Sequence, residues 1–209
     1  MIRLLLAGYL VAAMTGCAGT GTSAAVPRAS SPSPATSPST QWTLEASTPA
    51  PIACSKVATP GVTEGPYFKA GSPAASTLTG PGVAGTSLLV TGHVLNLNCA
   101  PIVGALLDFW QADGNGQYDN NGYRLRGHQF TDSQGAYRLE TVIPGEYPGR
   151  TQHIHVKVQA PGGPVLTTQL FFPGSPRNSQ DSIFNGALLM QVSSGASTTA
   201  NYDFILSSE

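Results

Sequence analysis

Apolar and polar residues alternate over several short segments between residues 88 and 172. Successive side chains of a strand point to opposite faces, so a period of two predicts a strand with one buried face. Turn-forming dipeptides such as Asn121-Gly122 separate these segments, and no stretch combines helical periodicity with caps at both ends. The pattern predicts an all-β fold, a β-sandwich of mainly antiparallel strands with long loops. The predicted strands are residues 88–95, 104–110, 136–142, 153–159 and 165–172, while residues 183–191 fit either a short helix or a strand.

The first residues have the pattern of a secretory signal. Arg3 precedes an apolar run at residues 4–14, and this run is too short to cross a bilayer. The sequence Met-Thr-Gly-Cys at residues 14–17 resembles a bacterial lipobox, in which the cysteine is lipidated and becomes the mature N-terminus. We therefore expect residues 1–16 to be a signal peptide and Cys17 to carry lipid. The alternative is an ordinary cleaved signal with a chance cysteine.

Residues 17–51 form a segment rich in Ser, Thr, Pro, Ala and Gly. Such a composition cannot bury a hydrophobic core, so we expect a disordered tether after the lipidated cysteine. The remaining residues, 52–209, number about 158 and are predicted to form one domain of ordinary size. We expect this domain to lie outside the cytoplasm. It would be attached to the bacterial cell membrane through the lipid anchor only, or be secreted.

The charge of the chain is nearly balanced. Ten basic and eleven acidic side chains give a formal net charge of −1. Proteins that bind the phosphates of nucleic acids usually present an excess of basic side chains. We therefore expect neither a nucleic acid nor another polyanion as a partner.

Two cysteines, Cys54 and Cys99, lie in the predicted domain. Outside the cytoplasm an isolated pair of cysteines is most simply a disulfide, which would tie the start of the domain to the loop after its first long strand. The alternative is a thiol that serves as a metal ligand or nucleophile. No histidine lies near Cys54 in the sequence to support that alternative.

Two of the four histidines of the chain are two positions apart. On a strand His153 and His155 project to the same side, and two imidazoles on one face make half of a metal site. Tyr147 and Arg150 lie just upstream and add a phenol and a guanidinium, which favours a chemical role. The less specific interpretation is a half-buried strand with two outward histidines.

Two tyrosines complete a candidate set of four metal ligands: Tyr118, Tyr147, His153 and His155. Two phenolates and two imidazoles suit Fe(III) better than Zn(II), which prefers cysteine, histidine and carboxylate ligands. Most tyrosines of β proteins are half-buried core residues, and we interpret Tyr137 in this way. Tyr118 and Tyr147 instead follow glycine- and proline-containing loops, where functional residues concentrate.

Further motifs accompany the candidate ligands along residues 54–175. They are Thr63-Glu64-Gly65-Pro66-Tyr67-Phe68, Gly92, Gly104, Leu107-Asp108-Phe109, Gly116-Gln117-Tyr118, Pro144-Gly145-Glu146-Tyr147, Arg150, His153, His155 and Gln169. In order and residue type these motifs resemble those of the intradiol ring-cleavage dioxygenases, the protocatechuate and catechol dioxygenases. The short connection from Tyr147 to His153 and the lack of an N-terminal helical dimerisation domain point to a compact, secreted lipoprotein branch of that family.

The resemblance implies an enzyme whose β-sandwich carries long active-site loops. It implies that the four candidate ligands hold a non-haem ferric ion and that Tyr147 also acts as a proton acceptor. Arg150 would stabilise negative charge that develops on the substrate, and Tyr67, Tyr123 and Gln169 would line the substrate pocket. The implied reaction is cleavage of a catechol-type aromatic diol by O2 to a cis,cis-muconate-type diacid. The particular catechol and the oligomeric state stay open.

Two other functions are compatible with a secreted all-β domain. One is a non-catalytic cell-surface β-sandwich that binds carbohydrate or protein, because a fold does not fix a function. Such a module has no reason to hold two tyrosines and two histidines in this arrangement, and it would be colourless, whereas a tyrosinate–Fe(III) protein absorbs visible light. The other is an extradiol dioxygenase, which needs Fe(II) and a carboxylate ligand.

Overall fold

The structure, a computed structural model, describes residues 54–207. The predicted signal peptide at 1–16, the predicted lipidation site Cys17 and the predicted tether at 17–51 lie outside the described residues. Within the described range no helix is long and apolar enough to cross a bilayer.

The described residues form two sheets that enclose one hydrophobic core. The first sheet has the strand order β4-β1-β8-β7, and β9 pairs with the far end of β1; the second has the order β3-β2-β5-β6 and is antiparallel throughout. This architecture confirms the predicted all-β sandwich. The strands are β1 (Ser87–Asn96), β2 (Leu106–Trp110), β3 (Arg126–Phe130), β4 (Ala136–Val142), β5 (His153–Gln159), β6 (Val165–Phe171), β7 (Gln191–Ser194), β8 (Thr198–Asn201) and β9 (Phe204–Leu206).

The segment predicted as either a short helix or a strand, residues 183–191, contains one 3₁₀ turn at Gly186–Leu188. Asn185 caps this turn, because its side-chain oxygen accepts a hydrogen bond from the backbone N–H of Ala187. The chain then enters β7 at Gln191. No other helix occurs between residues 54 and 207.

Alternation along β5 decides what each face of the second sheet carries. Ile154, Val156 and Val158 are fully buried between the two sheets, where the burial of each side chain contributes about 1.5–3 kcal/mol. The intervening residues, His153 and His155, therefore project from the opposite face of the sheet. Both imidazoles are nevertheless buried, with exposed fractions of 3% and 1%.

A long irregular segment, residues 59–77, buries that outer face; we call it the covering segment. It begins at the edge strand β6, where the backbone N–H of Val62 donates to the carbonyl of Thr167 at 3.0 Å. It ends beside the opposite edge strand β3, where Ala75 N–H donates to the carbonyl of His128 at 2.9 Å. Between these points it crosses all four strands, so polar side chains on the outer face are shielded from water.

Cys54 and Cys99 are joined by a disulfide with a Cα–Cα distance of 5.7 Å, which confirms the predicted pairing. The bond connects the chain just before the covering segment to the turn that follows β1. A cross-link at this separation restricts the unfolded chain and in the chain-entropy account contributes about 3–4 kcal/mol. Because both sulfurs are in the bond, neither is available as a thiol ligand.

Candidate functional site

The two histidines of β5 form the base of the site. Their Nε2 atoms are 3.1 Å apart. The Nδ1 of His153 lies 2.7 Å from the carbonyl oxygen of Thr151, and we infer from this contact that Nδ1 carries the proton and donates it. The Nε2 lone pair of His153 therefore faces the ring of its neighbour, and one ion could contact both nitrogens.

Burial keeps both imidazoles neutral. Burial and, to a smaller extent, the positive charge of Arg150 together lower the pKa of His153 to about 4, against the opposite effect of the Thr151 carbonyl. The pKa of His155 also lies well below its ordinary value because of burial and the neighbouring His153. Neutral imidazole is the form that binds a metal, so both rings are ready to act as ligands at neutral pH.

Tyr118 reaches the histidines from the loop after β2. Gly116 has a φ of 76° and packs so tightly that a Cβ there would lie 2.4 Å from the carbonyl oxygen of Glu146. A residue with a side chain cannot occupy that position, so glycine is what allows this loop to pack against the loop carrying Tyr147. The Tyr118 hydroxyl is buried, and no other described residue makes a hydrogen bond to it. Burial, followed by the nearby Tyr147 phenol, raises the pKa of Tyr118.

Tyr147 approaches from the loop before β5. Its hydroxyl lies 3.4 Å from His153 Nε2, and its ring centroid is 5.8 Å from that of Tyr118. Burial raises the pKa of Tyr147, while the Arg150 guanidinium acts in the opposite direction. The Tyr118 ring is also 6.3 Å from the His155 ring, centroid to centroid, so the two phenols and the two imidazoles form one cluster.

This donor set fits a ferric ion. The candidate ligands include no cysteine or carboxylate, which typical zinc sites and two-His-one-carboxylate sites use. The described residues contain no group of three or more His, Cys, Asp or Glu side chains that could hold a metal. The Tyr118 hydroxyl and the His155 Nδ1 are buried and lack hydrogen-bond partners within residues 54–207. Buried polar groups without partners are costly. A bound cation would give the Tyr118 oxygen the partner that it lacks and would favour the ionised phenols.

Arg150 borders the ligands. Its Nη1 lies 3.4 Å from the Tyr147 hydroxyl, and its Nη2 donates to Gln169 Oε1 at 2.5 Å. Gln169 is paired with His155 across β5 and β6, and its amide nitrogen donates to the carbonyl of Thr63 in the covering segment. The structure thus brings the arginine and the predicted glutamine together beside the four candidate ligands.

Of the two tyrosines predicted to line the pocket, only one lies at the site. The Tyr67 ring stacks on that of Tyr118, with centroids 4.3 Å apart and an angle of 18° between the planes. Tyr123 is 37% exposed, and its hydroxyl donates to the carbonyl of Ala70 at 2.8 Å. Lys69 lies over the Tyr123 ring. Tyr123 therefore packs on the outer part of the covering segment, and the structure does not bring it to the candidate ligands.

Two neighbours of the site were not singled out from the sequence. The Trp110 indole stacks on His155, with centroids 4.7 Å apart. Arg126, its partner across β2 and β3, is only 3% exposed and donates to the carbonyls of Tyr67 at 2.6 Å and Asp119 at 3.1 Å. The alternation of side chains along β2 could have identified Trp110. Leu107 and Phe109 face the core, so position 110 lies on the outer face of the sheet, as the two histidines do.

Comparison with known proteins gives a family match. A family model described as dioxygenase matches residues 63–206. The protocatechuate 3,4-dioxygenase beta chain of Burkholderia cepacia is 35% identical over 120 residues, which cover 49% of this chain and 51% of that protein. The hydroxyquinol 1,2-dioxygenase of Nocardioides simplex is 30% identical over 152 residues, which cover 61% and 52%. The chain spans about half the length of these curated relatives.

Solved structures agree with the sequence comparisons. The dioxygenase domain of a dioxygenase carbohydrate-binding protein fusion from Streptomyces sp. SirexAA-E is 52% identical and superposes with a TM-score of 0.71, covering 73% of this chain and all of that chain. An intradiol ring-cleavage dioxygenase from Tetranychus urticae is 28% identical with a TM-score of 0.66, covering 72% of this chain and 95% of that one. On the family match, the fold and these relatives, the chain belongs to the family of intradiol ring-cleavage dioxygenases.

Proposed function

We propose that this protein is a non-haem Fe(III) enzyme that cleaves a catechol-type aromatic diol with O2 to a cis,cis-muconate-type diacid. One observation carries the proposal: the Tyr147 oxygen and two imidazole nitrogens lie together beside the half-buried Arg150, and the Tyr118 ring packs against this group. The names of the relatives support the reaction class, since they act on protocatechuate, hydroxyquinol and catechol. The residues that would hold the ion are Tyr118, Tyr147, His153 and His155.

A ferric ion would act as a Lewis acid and would favour the ionised form of a bound diol. The side chains around it have separate tasks. Arg150 supplies a positive charge, and an electrostatic group aimed at developing charge is usually the largest catalytic contribution. Tyr147 is within reach of that guanidinium, so its oxygen can accept a proton from a substrate hydroxyl and be held there by hydrogen bonding.

The covering segment supplies the remaining wall of the proposed pocket. Tyr67 stacks on Tyr118, and a flat aromatic ring offers the kind of surface against which an aromatic diol can pack. The Gln169 side-chain oxygen accepts a hydrogen bond from Arg150, and its amide nitrogen donates to the carbonyl of Thr63. The covering segment and the arginine are therefore positioned by the same side chain. The size of the substituents that the pocket admits is therefore expected to depend on residues 63–67.

The test is metal content, colour and oxygen uptake of the full chain expressed in iron-replete medium. We expect about one iron per chain, a visible tyrosinate–Fe(III) absorption, and O2 consumption with at least one member of a panel of catechols, including lignin-derived ones. The product should be a muconate-type diacid formed at one per O2 consumed. Protein stripped of iron and then reloaded with Fe(III) or Zn(II) is the control, and only the ferric form should turn over.

Three results would contradict the proposal. Zinc in place of iron would contradict the ligand assignment, and an extradiol product would contradict the position of cleavage. A colourless protein that is inactive even after loading with iron would instead favour the non-catalytic binding module.

We further propose that the enzyme is an extracytoplasmic lipoprotein. The proposal rests on the sequence alone, on the short apolar run before Cys17 and the Ser/Pro-rich residues that follow it. A flexible tether of about 35 residues has an r.m.s. span of roughly 30–35 Å, enough to hold the domain clear of lipid. We expect the Cys17→Ser protein either to be absent from the membrane fraction or to keep its uncleaved signal peptide. Fractionation measures the first outcome and intact mass the second. A processed, unlipidated Cys17→Ser protein that still fractionated with membranes would exclude the lipid anchor.

A further inference from the structure

Arg150 is held by a residue from a distant loop. Asp181 lies between β6 and β7, and its Oδ2 is 2.9 Å from Arg150 Nε. The aspartate side chain is only 1% exposed and the arginine side chain 12%. It is the one carboxylate in ion-pairing distance of this guanidinium within residues 54–207.

The same carboxylate also fixes the turn that leads into β5. Its Oδ2 accepts a second hydrogen bond, from the backbone N–H of Thr151 at 2.9 Å. Its Oδ1 accepts from the backbone N–H of Ile183, also at 2.9 Å. Burial alone would raise the pKa of Asp181, but these backbone donors and the guanidinium together lower it, so the carboxylate is ionised at neutral pH.

Other side chains of this loop hold the turn without touching the arginine. The Thr151 hydroxyl lies 2.9 Å from Ser175 Oγ and 2.7 Å from Asn178 Oδ1. These contacts and the Thr151 N–H bond to Asp181 all stabilise the turn. Among these loop residues only Asp181 also contacts the guanidinium: it accepts from Nε, while Nη1 is directed at Tyr147.

We propose that Asp181 is a positioning residue that aims the Arg150 guanidinium at the reacting site. Arginine has a long side chain with large rotamer entropy, and a catalytic charge is useful only when it is fixed before the reaction. The Asp181–Arg150 pair, together with Gln169 on Nη2, fixes the guanidinium from two sides. This inference rests on the proposed function, in which Arg150 stabilises charge on the substrate.

The test compares Asp181→Asn with Arg150→Gln and with the double variant in the iron-loaded full chain. Asparagine keeps the shape of the side chain and loses its charge. We expect Asp181→Asn to lower kcat about 10- to 100-fold, the usual cost of removing a residue that orients a catalytic group, with KM and iron content close to wild type. In the double variant the second substitution should add less than about twofold to the effect of Arg150→Gln, because both act through one group.

Asp203→Asn is the matched control. Asp203 is a half-buried aspartate that accepts from a backbone N–H and lies 3.2 Å from a histidine nitrogen, His93 Nδ1, far from the site in the sheet order. It should keep wild-type kcat. A wild-type kcat for Asp181→Asn, or a full multiplicative effect in the double variant, would refute the positioning role.

A second readout does not depend on activity. The sample is the gallium(III)-loaded full chain with ¹⁵N-labelled arginine, in which the Nε–H resonance of Arg150 is assigned by its loss in Arg150→Lys. We expect the Arg150 Nε proton to exchange slowly with solvent in the wild type and rapidly in Asp181→Asn. Rapid exchange in the wild type would overturn the inference even if Asp181→Asn failed to fold. A wild type that consumes no O2 with any catechol would instead contradict the proposed function, whatever the resonance shows.

Discussion

Replacing His155 by alanine is expected to abolish iron binding and with it the visible colour and all turnover. His155 supplies one of only two nitrogen donors, and its Nε2 is 3.1 Å from that of His153. The residue is 1% exposed, and its ring packs against those of Trp110 and His153. Metal binding to such a site is coupled to the neutral form of each imidazole, and in the proposed enzyme His155 is a permanent ligand, unlike the displaceable Tyr147, so its loss removes a large part of the affinity.

The measurement is iron per chain after desalting, together with the visible spectrum and the thermal midpoint. We expect less than about one-tenth of an iron per chain in the variant. His93→Ala is the control, because His93 is a half-buried histidine that pairs with Asp203 on the other sheet and should leave iron content unchanged. A His155→Ala protein that kept its iron and its colour would show that the four-ligand assignment is wrong.

Local patterns were sufficient to predict five of the nine strands, β1, β2, β4, β5 and β6, whereas β3, β8 and β9 are short and were not predicted. The period of two in residues 153–159 predicts both a strand and the common face of His153 and His155, because alternation is a property of the backbone itself. Glycines before Tyr118 indicated a loop, and the structure shows that Gly116 is needed for a close contact between two loops. These features depend on neighbours in sequence, so one chain is enough to predict them.

Contacts between distant segments could not be predicted in this way. Asp181 comes from an irregular loop with no periodicity, and nothing in its surroundings in sequence indicates that it meets Arg150. Tyr67 and Tyr123 both lie near a glycine in the sequence. Tyr67 belongs to the covering segment and stacks on Tyr118, whereas Tyr123 follows β2 and contacts the outer part of that segment at Ala70. The decision between them depends on the path of that segment across the sheet, which is set by hydrogen bonds to both edge strands.

The structure gives a physical reason to assign different roles to the two tyrosines. The Tyr118 hydroxyl is buried without a hydrogen-bond partner among the described residues, so in the proposed enzyme a bound metal would be its partner. The Tyr147 hydroxyl has the Arg150 guanidinium at 3.4 Å and His153 Nε2 at 3.4 Å. A phenol with a guanidinium in hydrogen-bond reach can take up and release a proton more easily than a phenol that is buried without such a donor.

Replacing Tyr147 by phenylalanine is therefore expected to separate metal binding from turnover. Three ligands remain, and we expect iron content to stay above about half of wild type with a shifted visible band. Turnover should fall by about 100-fold or more, the range in which a positioned proton acceptor contributes.

Tyr202→Phe is the control, since it removes a half-buried hydroxyl that donates to the carbonyl of Ala187, away from the site, and should leave both quantities unchanged. Rapid single-turnover measurements with saturating substrate would locate the defect in the chemical step rather than in binding. If Tyr147→Phe reacted at the wild-type rate, Tyr147 would be a ligand without a role in proton transfer, and the proton acceptor would have to be sought in the solvent or in another side chain near the covering segment.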